Sequence, residues 1–297
     1  MKRIIITGAG GFIGCELTRK LVEKGYEVHA ISLLFNPAFP ESPSVKKYNI
    51  EISDSETLLK ILPVGEYEAF YHLAWRGVNG PEKADPQVQL DNIKLTLTCA
   101  EAAKKLGCRK FLCAGTIAER AIESLPKLEK TSGGMMYGVA KQCAHLMLET
   151  YCKNVGMDFV WMQFSNIYGP QNKTGNLVSY TLGEITQGRE ATFGPAMQPY
   201  DFIYVDDLIE AVFRLGTMPT GKNAYYIGSG RPRILKEYLQ QIGRDFGRPE
   251  LIKIGVRPDD GITYSVEMFD TQALVRDIGD YVSTDFDSGI RLTIQGF

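Results

Sequence analysis

The chain has 297 residues, 44% hydrophobic and 23% charged, with 33 Lys and Arg against 35 Asp and Glu for a formal net charge of −2. That length and composition suit a globular protein with a sizeable core, built as one large domain or two closely joined ones. The near-neutral balance argues against nucleic acid or an anionic membrane as partner, so a phosphate ligand would have to be held locally.

The six cysteines, Cys15, Cys99, Cys108, Cys113, Cys143 and Cys152, form no Cys-x-x-Cys pair and show no metal-ligand spacing. With a strand rather than a signal peptide at the N-terminus, they lead us to expect a cytoplasmic protein without a bound metal. No apolar run approaches the roughly 20 residues of a membrane-spanning helix, so a soluble chain is expected.

Ile4-Ile5-Ile6 leads into Thr7-Gly8-Ala9-Gly10-Gly11-Phe12-Ile13-Gly14 and then an amphipathic stretch ending at Lys24-Gly25. Three such glycines also fit an ordinary tight turn, but strand, glycine turn and helix in that order point to a dinucleotide. Glycines remove the Cβ atoms that would hold a pyrophosphate away from the N–H groups at the helix start. Apolar runs at 2–7, 27–32, 47–52 and 69–74 alternate with helical stretches ending near 24 and 62. This rhythm predicts an α/β fold, a Rossmann-type doubly wound parallel sheet with helices on both faces.

Asp85-Pro86, an N-cap followed by proline at the first helical position, opens a long helix to 105 that stops at Gly107. A strand at 110–114, a helix at 135–154 and a strand at 158–163 follow. Past Tyr168-Gly169-Pro170 the pieces become short and rich in Gly, Pro, Asn and Thr, yet 201–205 and 225–228 still read as strands, so this half should return to the sheet at least once. We therefore expect a dinucleotide-binding domain over 1–170 and a smaller α/β substrate-binding region over 171–297, whose loops would set specificity.

In Met136-Tyr137-Gly138-Val139-Ala140-Lys141 the tyrosine and lysine lie four residues apart, on one face of a helix. An ammonium beside a phenol favours the phenolate, which would let Tyr137 exchange a proton with a sugar or alcohol hydroxyl near neutral pH. Thr116, just past the strand at 110–114, stands at the carboxyl end, where parallel sheets put their ligands. Alone it would equally suit a capping role at the turn.

Taken together these motifs resemble the extended short-chain dehydrogenases/reductases of the nucleotide-sugar epimerase, dehydratase and reductase group. The resemblance is carried by Thr7-Gly8-x-x-Gly11-x-x-Gly14, Tyr71-His72-Leu73-Ala74, Tyr137-x-x-x-Lys141, Asn166-Ile167-Tyr168-Gly169-Pro170 and Asp201-Phe202-Ile203-Tyr204-Val205-Asp206-Asp207. It extends through Ile227-Gly228-Ser229-Gly230 to Ser288-Gly289-Ile290. It implies that Tyr137 is the acid/base, that Lys141 lowers its pKa and binds the nicotinamide ribose, and that Thr116 positions the reacting hydroxyl. For the cofactor it implies contacts from Gly8, Gly11, Phe12, Ile13, Gly14, Ser32, Glu51, Ile52, Leu73 and Ala74, with Glu51 and Ile52 at the adenine. For the nucleotide sugar it implies Asn166, Asn176, Leu177, Tyr200 and Trp75, although Trp75 fits a loop anchor as well. Asn92 matches a family asparagine that serves mainly structure.

Departures from the pattern matter too. Ser32 stands where NAD-preferring members usually carry an acidic residue, and no arginine follows closely, so NAD and NADP both stay open. Thr116-Ile117-Ala118 lacks the Asp-Glu pair of the 4,6-dehydratases, which disfavours dehydration. Tyr200 and Gln163 each replace a frequent arginine, leaving Lys173, Arg231 or Arg257 to meet the phosphate charge. His29, His72 and His145 read as structural, and Asp206-Asp207 as a helix N-terminus.

The expected activity is epimerisation of a nucleotide sugar, with transient oxidation of a hydroxyl, at C4 in many members, followed by hydride return. The alternative enzyme is an NAD(P)H-dependent reductase of a 4-keto-6-deoxy nucleotide sugar; a cofactor-binding regulator is the non-enzymatic alternative. Apolar residues on more than one face of the helices at 85–105 and 135–154, including Ile93, Leu97, Ala100, Leu146 and Met147, together with the family's four-helix interface, predict a homodimer.

Overall fold

A computed structural model describes residues 2–127, 133–172, 174–259 and 261–296. Ile4, Ile5 and Ile6 are all fully buried, which a strand achieves only when both faces of its sheet are covered. That strand, β1 (Arg3–Thr7), leads into α1 (Phe12–Glu23), β2 (Glu27–Ser32), β3 (Val45–Asn49), α2 (Ser55–Ile61) and β4 (Tyr67–His72). Next come α3 (Pro86–Leu106), β5 (Cys108–Thr116), α4 (Gly133–Val155), β6 (Asp158–Phe164) and β7 (Asn166–Tyr168). The remainder comprises α5 (Leu177–Thr186), β8 (Ala191–Thr192), β9 (Pro199–Tyr200), β10 (Phe202–Tyr204), α6 (Val205–Thr217), β11 (Ala224–Ile227), β12 (Arg233–Ile234), α7 (Leu235–Phe246), β13 (Ile252–Lys253), α8 (Gln272–Ile278) and α9 (Phe286–Gln295).

Seven strands pair in the order β11-β6-β5-β4-β1-β2-β3, every neighbouring pair parallel. Because side chains alternate along a strand, Ile4 and Ile6 join one core with Leu17 of α1 and Leu208 and Val212 of α6. Ile5 joins the other, with Leu58 of α2, Ala100 of α3 and Ala144 and Leu148 of α4. This is the doubly wound sheet expected from the alternating runs.

Local chemistry accounts for the long helix α3. Asp85 caps it by accepting the N–H groups of Gln87 and Val88 at 2.8 and 3.1 Å, and Pro86 fills the first helical position. Gly107 ends it in the left-handed region, at φ +82°. Asp206 and Asp207 lie in the first turn of α6, as expected. Asp207 does more than complement that helix end: it is buried and accepts hydrogen bonds from Ser283 N and Oγ and from Thr284 N, tying the C-terminal segment to α6.

Some boundaries differ from expectation. Thr116 is the last residue of β5 rather than a loop residue beyond it. The strand expected at 47–52 lies at Val45–Asn49, because pairing with β2 matches Val28 to Val45 and Ser32 to Asn49. Of the two later strands, Ala224–Ile227 extends the main sheet beside β6, whereas Phe202–Tyr204 pairs with β7 in a separate two-stranded sheet.

Candidate active site

The turn after β1 is dictated by backbone crowding. Gly8 has φ +74°, and a Cβ there would lie 2.6 Å from Ala74 N; a Cβ on Gly10 would lie 1.9 Å from Leu34 O, and one on Gly14 would lie 2.3 Å from Gly8 O. Gly11 is the N-cap of α1 and offers no side chain to its N–H groups, which leaves them open to an anion. A cleft of about 610 Å³ opens here, lined by Thr7, Gly8, Gly11, Ser32, Glu51, Ile52, Leu73, Ala74 and Trp75 among others. Its length along the carboxyl ends of β1, β2 and β4, and its open helix start, fit a dinucleotide. Phe12, Ile13 and Gly14 stand behind this wall: Phe12 and Ile13 pack on the core, and Gly14 is buried beneath the turn.

Beside the cleft, three polar side chains meet. Thr116 ends β5, and Tyr137 and Lys141 project from successive turns of α4. Thr116 lies close enough to Tyr137 for its hydroxyl to pull the phenol toward the phenolate. Lys141 is 2% exposed, donates to Ala114 O at 2.6 Å, and holds its Nζ 3.6 Å from the centre of the Trp75 ring and 5.8 Å from that of Tyr137. Close approach of α4 to the segment after β5 requires Gly138, since a Cβ there would lie 2.5 Å from Ala118 O.

Trp75 spans the two features, lining the cleft while meeting Tyr137 edge-on with ring centres 6.2 Å apart. Its Nε1–H donates to Gln89 Oε1 at 2.9 Å. Asn92 clamps the adjacent backbone, accepting from Arg76 N at 2.8 Å and donating to Arg76 O at 2.7 Å. Trp75 is thus fixed from α3.

Electrostatics depart from the spacing argument. Burial dominates at both groups: it raises the Tyr137 phenol above its ordinary value and brings the Lys141 ammonium down to about 8. The lysine donates to Ala114 O and stands 5.8 Å from the centre of the Tyr137 ring, and burial decides the direction at the phenol. The nearby Thr116 hydroxyl acts the other way, favouring the phenolate.

Other expected substrate residues are distributed around β7 and α5. Asn166 Oδ1 accepts the Tyr200 hydroxyl at 2.9 Å, so these two stand together. Asn176 caps α5, accepting Ser179 N at 2.9 Å and donating to Ile167 O at 2.6 Å, which engages both ends of its amide within the protein. Leu177 begins α5 and packs on the core. Arg257 donates to Tyr180 Oη at 2.7 Å and Thr192 Oγ1 at 2.9 Å, and Arg231 is exposed. Lys173 lies outside the described residues.

Gln163 has a different place from the arginine it replaces: it is buried and donates to Glu119. Glu119 escaped the sequence reading. It is 4% exposed and accepts the N–H of Thr116 at 2.7 Å. The available signal was an acidic residue three positions past Thr116 at the end of an apolar strand. His72 is buried between the hydroxyls of Thr7 and Thr96, His29 bonds Tyr48 and Glu27, and His145 stacks on Trp161. Among the described residues no group of three His, Cys, Asp or Glu side chains could hold a metal ion.

The model of the NAD dependent epimerase/dehydratase family matches residues 4–228. The chain belongs to this family. Membership makes the protein an NAD-dependent enzyme and narrows the open choice of cofactor. The chain is similar to the UDP-glucuronate 4-epimerase of Thermodesulfobacterium geofontis (strain OPF15), 26% identical over 262 residues that cover 82% of this chain and 80% of the relative. It is also similar to the CDP-abequose synthase of Salmonella muenchen, 23% identical over 261 residues that cover 86% of this chain and 84% of the relative. In fold it is similar to the UDP-glucose 4-epimerase of Thermotoga maritima, solved with UDP-glucose, with a TM-score of 0.81 at 22% identity over 99% of this chain and 98% of that one. Among the described residues no helix is long and apolar enough to cross a membrane.

The depressed lysine has a measurable consequence. Below pH 8 the native state carries a buried charge that the unfolded chain holds in water, and this penalty disappears as pH rises through the ordinary lysine value. Wild-type unfolding free energy, measured against that of Lys141→Met, should therefore increase by about 3 kcal/mol between pH 8 and pH 10.5. A difference that stays flat with pH would show that Lys141 titrates normally.

Proposed function

We propose that the protein is a nucleotide-sugar 4-epimerase. The observation that carries this is the convergence of Thr116, Tyr137 and buried Lys141 at the end of β5, joined to the dinucleotide cleft through Trp75, whose ring meets both Tyr137 and Lys141. NAD, when bound in that cleft against Gly8, Gly11, Ser32, Glu51, Ile52, Leu73 and Ala74, supplies the group that accepts and returns a hydride. Thr116 holds the reacting sugar hydroxyl, Tyr137 removes its proton and later returns it, and Lys141 supplies positive charge that favours the phenolate during transfer. Asn166, Tyr200, Asn176 and Leu177, within the 171–297 region or at its edge, contact the nucleoside diphosphate. The similarity to the UDP-glucuronate and UDP-glucose 4-epimerases supports this choice of reaction.

We also infer a homodimer in the cytoplasm. Leu146 and Met147 on α4 are 55% and 44% exposed, and Leu90 on α3 is 58% exposed, which is an apolar surface suited to a second copy. Ile93 and Ala100, by contrast, face the sheet, buried in the core with Leu58 and Leu148. Six free cysteines, most of them buried, suit a reducing compartment. Static light scattering at micromolar concentration should return twice the chain mass of 33.1 kDa; a single-chain mass would overturn the dimer.

The activity is tested by supplying UDP-glucuronate, UDP-glucose and related nucleotide sugars with NAD, and separately a 4-keto-6-deoxy nucleotide sugar with NAD(P)H, and following both the sugar products and reduced-nicotinamide absorbance. Interconversion of C4 epimers without net change in cofactor is expected. Loss of one reduced nicotinamide per turnover of a 4-keto-6-deoxy sugar would instead establish the reductase. Tyr137→Phe should lower kcat by a factor on the order of 10² to 10⁴ while NAD affinity stays within about twofold.

A further inference from the structure

A second layer of polar groups is buried directly beneath the site. Glu119 Oε1 accepts the Thr116 N–H at 2.7 Å and the Trp161 Nε1–H at 3.1 Å, while Oε2 accepts from Trp161 Nε1 at 3.0 Å and Gln163 Nε2 at 2.9 Å. Gln163 is fixed in turn by Arg120, whose Nη2 donates to its Oε1 at 2.9 Å. The His145 ring lies flat against Trp161, with centres 4.8 Å apart and planes 1° from parallel. Gly115 is demanded by the same arrangement, because a Cβ there would lie 2.2 Å from Trp161 Nε1 and 2.8 Å from Glu119 Oε1.

Such a cluster is costly. A carboxylate removed from water loses several kcal/mol of hydration unless hydrogen bonds replace it, and here Thr116 N, Trp161 Nε1 and Gln163 Nε2 supply them. The shortest of these bonds goes to a backbone N–H, that of Thr116, and it is the one that reaches the active site. The Thr116 hydroxyl meanwhile accepts Ala118 N–H at 3.2 Å and meets Tyr137. Backbone and hydroxyl of this residue are therefore each held by a separate partner.

We propose that Glu119 is a positioning residue, whose carboxylate pins the backbone of Thr116 and so fixes the Thr116 hydroxyl in register with Tyr137 for proton transfer. The assignment rests on the epimerase role given to Thr116, and it extends the site to a residue that never touches the sugar. Displacement of a reacting group by about 1 Å can cost on the order of 10²-fold in rate, so loosening Thr116 should affect turnover more than binding.

Two measurements test this. In the first, Glu119→Ala lowers kcat about 10- to 100-fold with KM for the nucleotide sugar within about threefold, and Glu119→Gln, which can keep an oxygen on the Thr116 N–H, restores kcat to within about fivefold of wild type. In the second, NAD-loaded protein is labelled with 15N-threonine and the Thr116 amide is assigned by its loss in Thr116→Ser. That resonance lies at low field in wild type and Glu119→Gln and moves upfield in Glu119→Ala. An Ala variant with kcat within about twofold of wild type, or with an unmoved Thr116 amide, would overturn the proposal. Should the wild type convert no nucleotide sugar, the epimerase reading fails, and the amide shift alone decides whether Glu119 holds Thr116.

Discussion

The bond from Lys141 Nζ to Ala114 O, 2.6 Å long and sealed from water, is the constraint on which the site depends. It joins a helix to a strand at one point. Because Ala114 lies two residues before Thr116 on β5, and Lys141 one turn after Tyr137 on α4, that single contact sets the two hydroxyl-bearing side chains opposite each other. The face of the Trp75 indole, 3.6 Å from Nζ, helps compensate the ammonium for its lost hydration. Trp75 is in turn held from α3 through Gln89, so sheet, both helices and the loop after β4 converge on one charge.

Burial also sets the acid/base balance. It pushes the phenol and the ammonium toward their neutral forms, one up and the other down. Tyr137 therefore rests as the neutral phenol beside an ammonium brought down to about 8. On the proposed reading, the sugar hydroxyl enters between Thr116 and Tyr137 and completes a chain whose other members are already fixed.

Much of this was legible in the chain itself. The glycines at 8, 11 and 14 and the Tyr137–Lys141 spacing could be read because they encode backbone clearance and helical geometry, which are local. The extent of β3 and the end of β5 could not, since register belongs to the neighbouring strand. Helical apolarity alone could not separate Ile93 and Ala100, which face the sheet, from Leu146 and Met147, which face outward. The direction of the Tyr137 shift was misread for a similar reason: spacing reveals the nearby ammonium, but burial is a property of the assembled fold. Glu119 and its contact with Gln163 stayed hidden because residues 44 apart in sequence meet only through pairing of β5 with β6.

The central claim is that Thr116 and Tyr137 share one substrate hydroxyl beside Lys141. A crystal structure of the protein with NAD and a nucleotide sugar whose turnover is blocked would test it most directly. The account predicts the C4 oxygen within hydrogen-bonding distance of both the Tyr137 hydroxyl and Thr116 Oγ1. A sugar ring seated away from that pair, with the Tyr137 phenol turned toward solvent, would contradict it.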